Sequence, residues 1–592
     1  MTNKGDIPMQ LLKTKYTSLL ALPLLLVLCV FALPSQKVFA ATTYLVNSIG
    51  DDSDATPGDS TCETATPGEC TLRAAIEEVN AGAGGDTINF GIAGTGVHTL
   101  TPASAYPTIV QSVIIDGYSQ PGSAANTAPS PQPFNGTLTI EIDGTSAGNS
   151  RGFRVGASNV TIKGLVINRF TRYGIEINDS NVKIEGNYIG TDPTGLIDRG
   201  NTLSGINDNS SGTGDVVGGT TAAARNIISG NQEFSIGVGG NLLVQGNYLG
   251  LDATGTGVLA NTGGGPATNL YIAGAGNTIG GSTVSERNVL AGSGTGILIF
   301  FNANNNKVQG NYIGTDYLGT VQSGFGGTVD GVAVIGGQNN LIGGTAEGEG
   351  NLIAGNSSGV IVGDFFDTYL ARNTSILGNS IHDNSGGTIT TLGIDLLGNS
   401  NDGATYSDAG VTANEAGDAD VSSNVLMNFP VISSITSANG QATITYDLDI
   451  NDVEPGATGY RVEFFANDSD DPSGHGQGQT YIGSDTIAGD VTNRSATITL
   501  PSGVSGTKYI TATATMTDNS TDGFGHTSEF ALNVQANFVA ATGGSSATSS
   551  ESLADTGGNT RIFDLIAYLM IMSGSIVGYF TTRLRAPSTS IE

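Results

Sequence analysis

The chain has 592 residues, of which 88 are Gly and none is Trp, and its 22 Lys and Arg face 53 Asp and Glu for a formal charge of −31. Such a length asks for more than one core; Gly without a three-residue period excludes collagen, and 38% hydrophobic against 13% charged residues excludes wholesale disorder. An acidic excess of this size repels phosphate backbones, so nucleic acid is not expected as a partner.

At the N-terminus, Lys4, Lys13 and Lys15 precede a Leu-rich run from Leu19 to Leu33, and Val38-Phe39-Ala40 follows. Positive, apolar and small-residue regions in this order read as a secretory signal peptide over 1–40, cut after Ala40. Cys62 and Cys70 are then the only cysteines left. In an oxidising compartment the pair reads as a disulfide closing a small loop, with no His nearby for a metal site.

Thr71 to Asn80 predicts a helix: Thr71 can cap its start, Leu72, Ala75, Ile76 and Val79 share a face, and Gly82 follows its end. Cys70-Thr71-Leu72-Arg73-Ala74-Ala75-Ile76 resembles the C-S-L-R-E-A motif that opens bacterial secreted β-helix proteins, with Ala74 in the place of the motif's Glu. The likeness continues through Gly85-Asp86-Thr87-Ile88-Asn89-Phe90 and Ile114-Ile115-Asp116-Gly117. It implies a pectate-lyase-like superfold, which hosts lyases, hydrolases and non-catalytic adhesins alike. On this reading 41–140 is a cap with the first coils, and 141–400 is the repeat region.

Three marker sets define the repeat. Gly186-Asn187-Tyr188, Gly246-Asn247-Tyr248 and Gly310-Asn311-Tyr312 recur 60 and 64 residues apart. Asn226-Ile227-Ile228, Asn288-Val289-Leu290 and Asn351-Leu352-Ile353 keep spacings of 62 and 63, as do Gly218-Gly219, Gly280-Gly281 and Gly343-Gly344. Short Val/Ile/Leu alternations broken by Gly-Asn are strands ended by φ > 0 corners. The expected fold is all-β: a right-handed parallel β-helix of three coils of about 21 residues per unit, with Asn ladders at the corners, followed by an immunoglobulin-like β-sandwich.

One basic island interrupts the acidic chain. Arg151, Arg154, Lys163, Arg169, Arg172, Lys183 and Arg199 face five acidic residues within the same segment. The first six are candidates for lining a groove for an acidic polysaccharide; scattered surface charge is the alternative. Asp192, Asp252 and Asp316 occupy equivalent repeat positions, either as a row of carboxylates or as Asx-turn residues. At three coils, about 14 Å, apart they could not act on one bond.

An acidic connector over 401–428 contains Asn414, Asp418 and Asp420, an oxygen-rich set with the density of a Ca²⁺ loop but without the full EF-hand pattern. No other cofactor is called for. Strand-like runs over 429–535 give the sandwich. Asn428-Phe429-Pro430-Val431, Glu463-Phe464-Phe465-Ala466 and Thr527-Ser528-Glu529-Phe530 resemble the C-terminal module that often accompanies such β-helices, expected here as a spacer. A linker over 536–552 leads to Leu553-Ala554-Asp555-Thr556-Gly557, an apolar run from Ile562 to Phe580, then Arg583 and Arg585. This arrangement resembles the sorting signal of sortase-anchored bacterial wall proteins, which implies sortase and peptidoglycan as partners, cleavage after Thr556 and a cell-wall location. A tail retained in the membrane is the alternative.

Catalytic constellations are sparse. Gly474-His475-Gly476 matches a tripeptide of the polygalacturonases but lies in the sandwich, and His382 sits in a turn-like element; His98 and His526 have no evident partners. No catalytic residue is assigned. The expectation is an exported, wall-anchored adhesin or glycan-binding module without catalysis; a polysaccharide lyase or glycoside hydrolase is the rival, and a structural stalk the third reading.

Overall fold

The computed structural model describes residues 41–263, 267–322, 324–326, 329–364, 369–385, 392–398, 410–418, 422–450 and 456–539. The signal segment, Asp420, the sorting motif and the apolar run 562–580 lie outside them. Among the described residues no helix is long and apolar enough to cross a membrane.

Three parallel sheets run the length of the repeat region. Sheet A has 11 strands, from Thr43–Val46 to Ser375–Leu377; sheet B has 10, from His98–Leu100 to Ser380–His382; sheet C has 9, from Phe153–Val155 to Ile394–Leu396. Each strand pairs in parallel with its equivalents one coil before and after, as in Ile162, Ile184 and Val217 of sheet A. Parallel crossovers of this kind wind right-handedly. The chain is therefore a right-handed parallel β-helix, and inward Ile, Val and Leu make one continuous core from Val46 to Leu396.

The coil count corrects the expectation of three coils per repeat. Lys183, Val216, Leu243, Thr278 and Lys307 open successive strands of sheet A, so each repeat of 60 or 64 residues holds two coils of 27 to 35. The extra length lies in loops after sheet B, beginning at Thr191, Leu251 and Thr315, which fold back over that sheet. Their backbones stack, Ala253 donating to the Gly195 carbonyl and Tyr317 to that of Gly255. Together with Tyr188, Tyr248 and Tyr312 they bury a second apolar layer outside sheet B.

The two Asn marker sets turn out to be one corner. Between sheets A and B, Asn187, Asn226, Asn247, Asn288, Asn311, Asn351 and Asn379 come from successive coils, each Nδ2 donating to the next Oδ1 at 2.9–3.2 Å. All are buried. The preceding corner requires φ near +70°, and Gly246 supplies it; a Cβ there would lie 2.5 Å from the Gly219 carbonyl oxygen. Where sheet C turns into sheet A, a second ladder runs from Asn277 through Asn306 to Asn340.

Both ends are covered, as a solenoid requires. At the N-terminus α1 (Leu72–Ala81) starts on Thr71, whose hydroxyl accepts from Ala74, and Leu72, Ala75, Ile76 and Val79 enter the core. Arg73 bonds Asp51 at 2.8 Å and the carbonyls of Ser104 and Ala105, while the Glu78 carboxylate takes the amides of Gly58 and Ser60. Cys62 and Cys70 are disulfide-bonded.

At the other end stand two antiparallel sheets sharing a core. This sandwich is not held away on a connector; it is seated on the last coil. Thr527 Oγ1 accepts from Ile376, Glu463 from Gly378, the Gly478 carbonyl from Ile381, and Glu529 from Leu396, so the last strand of every sheet finds acceptors. Gln477 adds one more rung to an Asn ladder, its Oε1 accepting from Asn384 Nδ2 at 2.9 Å. Phe465 and Phe530 complete the solenoid core itself.

Asn288→Ala tests the ladder. It removes the acceptor used by both the amide and Nδ2 of buried Asn247. At roughly 1–3 kcal/mol per orphaned buried group, the unfolding free energy from urea titration is expected to fall by at least about 2 kcal/mol.

Candidate functional site

In a β-helix the inward residues are committed to packing, so chemistry belongs to the outward row of each sheet. Sheet B is covered by its loops. On sheet C, the residue between two inward apolar neighbours points out, which aligns Arg154 with Glu176, Glu176 with Asn207, Asn207 with Gly237 and Gly237 with Tyr271.

The structure divides the predicted basic island. Lys163 and Lys183 lie on sheet A, where Lys163 pairs with Asp116 at 3.1 Å and Lys183 is exposed. Arg169 has φ +59° and binds Asp143 at 2.5 Å, next to the backbone of Arg199. Arg151, Arg154 and Arg172 belong to the sheet C side and do come together. Glu176 Oε2 is 2.6 Å from Arg151 Nε and 3.4 Å from Arg154 Nε. Arg172 lies over the Tyr173 ring, 5.5 Å from its centroid, and its charge acts on Arg151. Burial holds Arg151 below the ordinary guanidinium range; Glu176 pulls it up, and Arg172 and Arg154 push it down. Two guanidiniums thus share one carboxylate with a third beside them, which leaves local positive charge on an acidic molecule.

Farther along the same face, the Phe234 and Tyr271 rings stack with centroids 4.7 Å apart and planes 8° apart. At Gly237 a Cβ would lie 3.1 Å from Asn207 Oδ1 and at ordinary contact distance, 3.6 Å, from the Phe234 ring. From the Arg154 strand to the Tyr271 strand is four strand steps, about 19 Å. The face therefore offers a cationic end, an amide step at Asn207 and an aromatic end. Glu176, Asn207, Phe234 and Tyr271 were missed from sequence, although Ile175-Glu176-Ile177 and Leu270-Tyr271-Ile272 carry the signal: a polar or aromatic residue between two inward aliphatics.

Glycoside hydrolysis takes two carboxylates within about 5–10 Å. In the outward row of sheet C the carboxylate after Glu176 is Asp395, seven strand steps or about 34 Å away. Asp208 falls on the inward parity, where it receives the Ser210 amide at 2.8 Å and burial raises it to about 6. Among the described residues no three His, Cys, Asp or Glu side chains converge.

The other candidates have structural partners. Asp192 Oδ1 accepts from Leu196 and Ile197, Asp252 Oδ1 from Thr254 and Gly257, and Asp316 Oδ1 from Leu318 and Thr320, so each caps its own loop, Asp252 and Asp316 through an Asx turn, two coils or about 10 Å apart. Asn414 bonds the Phe429 backbone through both its side-chain atoms, and Asp418 accepts from Asn428, which turns these two predicted Ca²⁺ ligands toward the backbone of the connector. His382 bonds its neighbour Asp383 at a corner, and His475 Nδ1 bonds the Phe530 carbonyl within the sandwich seat. His526 Nδ1 accepts the Asn373 amide; burial lowers it to about 4.

No family model and no curated protein matches the chain. Among solved structures it is similar to the A-module of the Azotobacter vinelandii mannuronan C-5 epimerase AlgE6, at 17% identity over 60% of this chain and 90% of that one, with a TM-score of 0.35. It is also similar to the pectate lyase Pel9A, at 15% identity over 64% and 80% of the two chains with a TM-score of 0.25. Likenesses at this level carry no argument about the site.

Glu176→Gln should uncover the Arg cluster. Since the Glu176 side chain is only 9% exposed, the loss of its charge is expected to cost stability, on the order of 1–3 kcal/mol. The variant should elute from an immobilised anionic polysaccharide at higher salt than the wild type.

Proposed function

We propose that the chain is an exported surface protein whose sheet C face binds an acidic polysaccharide without cleaving it. The gathering of Arg151 and Arg154 on the single carboxylate of Glu176, with Arg172 beside them, carries the reading. Guanidinium forks match carboxylate geometry, and an excess of them on a strongly acidic protein is a local well for polyanions. The stacked Phe234 and Tyr271 add an apolar surface of the kind that meets the faces of sugar rings. Lys163, Lys183 and Arg169 serve other faces of the solenoid and are outside this site.

Export and anchoring belong to the same proposal. The N-terminal 40 residues direct secretion; sortase cuts after Thr556 and joins the chain to peptidoglycan, with Leu553, Ala554, Asp555 and Gly557 completing its recognition motif. Thr556→Ala would then move the protein from the wall fraction to the membrane fraction.

A polysaccharide lyase is the second reading, favoured by one observation: burial and two neighbouring cations lower Arg151 against the pull of Glu176, the direction a general base needs. The two readings differ in their products. Incubation with polyuronates should give binding by calorimetry and neither new reducing ends nor unsaturated ends absorbing in the ultraviolet; appearance of either end would replace the binding reading with the enzymatic one. Arg154→Ala with Arg172→Ala should weaken binding at least about tenfold, at a rough 1.4 kcal/mol per decade.

A further inference from the structure

The seat between the sandwich and the last coil holds a pair of acids that the proposed binding face does not use. Glu529, 2% exposed, takes the amide of Leu396 at 3.0 Å, the amide of Thr412 at 2.9 Å and the Thr412 hydroxyl at 3.3 Å. One carboxylate thus ties the final strand of sheet C and the connector to the sandwich. Asp395, 1% exposed, occupies the outward position of that same strand, and its charge bears on Glu529. The Gly410 amide approaches Asp395 at 3.5 Å. Among the described residues no Lys, Arg or His lies within ion-pair distance of either acid.

The other charged groups of the seat are occupied elsewhere. Glu463 pairs with Arg461 at 2.9 Å and accepts from Gly378; Lys307 pairs with Asp522; Asp471 accepts from Gln477; His526 accepts the Asn373 amide near Arg372 and Asp518. None of these supplies a counter-charge to Asp395 and Glu529. Two adjacent buried carboxylates without a cation cannot both be ionised cheaply.

We infer that the Asp395–Glu529 pair is a proton-held clasp, which keeps the sandwich seated while it carries a proton and releases the last coil once both carboxylates are charged. The electrostatics run the same way: burial raises Asp395 to about 7 against the Gly410 amide, and burial, helped by Asp395, raises Glu529 to about 8 against the amides of Leu396 and Thr412. For acids whose folded-state values lie above the ordinary carboxyl range, the folded chain holds more protons than the unfolded one. The stability they contribute is complete below that ordinary range and is lost as pH rises through 7 to 8. His526 works in the opposite direction, its lowered value costing stability as pH falls from about 6.5 toward 4. Loosening would expose unpaired amides of the final strands, an edge able to accept another strand.

Hydrogen exchange of the full-length chain tests the clasp. The readout is the exchange rate of a peptide covering 392–398 divided by that of one covering 295–300, after correction for intrinsic rates, so the general effect of pH cancels. In the wild type this ratio is expected to rise at least about tenfold from pH 6 to pH 9. In Glu529→Gln and in Asp395→Asn, each of which removes one of the two charges, it should stay within about twofold. The inference is overturned if the wild-type ratio is flat, or if both variants rise as the wild type does. A rise that millimolar Ca²⁺ abolishes in the wild type would also overturn it, since the pair would then be a cation site.

Discussion

The strand amides of a β-helix are satisfied by the coil before or after, and so are the Asn side chains of the two corner ladders. Nothing within a single coil stabilises it alone. The column therefore depends on unbroken hand-over, from Asn187 through Asn379 along one edge and from Asn277 to Asn340 along another, and on two ends that replace the missing neighbour. Helix α1 supplies an amphipathic lid at the start. At the finish the sandwich lends a Thr, two Glu and a carbonyl to the last strands, Gln477 to a ladder, and Phe465 and Phe530 to the core. The sandwich is thus part of the solenoid's fold.

This constraint also sorts the surfaces. Core and corners admit little variation, so differences between coils are pushed outward. Sheet B spends its outer face on Tyr residues and stacked loops, and its Asp residues on capping those loops. Sheet A carries the Asp116–Lys163 pair along strand-paired positions. Sheet C keeps the unbalanced cluster, with Arg151 and Arg154 on Glu176, Arg172 beside them and an aromatic pair farther along. A rigid stack at about 4.8 Å per coil holds such groups at fixed spacing, as recognition of a regular polymer requires.

Much of this architecture was legible in the residues. Period, strand type, corner Asn and the α1 lid all rest on local chemistry: alternation, positive φ and an N-cap hydroxyl. The coil count was not legible, because loops such as 251–261 carry apolar residues, Leu251, Ala253 and Val258, that look like a further strand while packing outside sheet B. Nor was the role of the sandwich, since the pairing of Glu529 with Leu396, or of Gln477 with Asn384, joins residues about a hundred positions apart. The basic island failed as a single groove for a related reason. Lys163 and Arg169 are close in sequence, yet one coil carries them to different faces, and only parity within a strand tells which side chains share one.

Truncation of the sandwich tests most directly whether the solenoid is completed by it. The full-length chain is to be compared, by thermal unfolding and sedimentation, with one ending at residue 428. If the sandwich closes the column, the truncated chain should melt at a clearly lower temperature and self-associate through its open end. A truncated chain that stayed monomeric and melted like the parent would contradict the account.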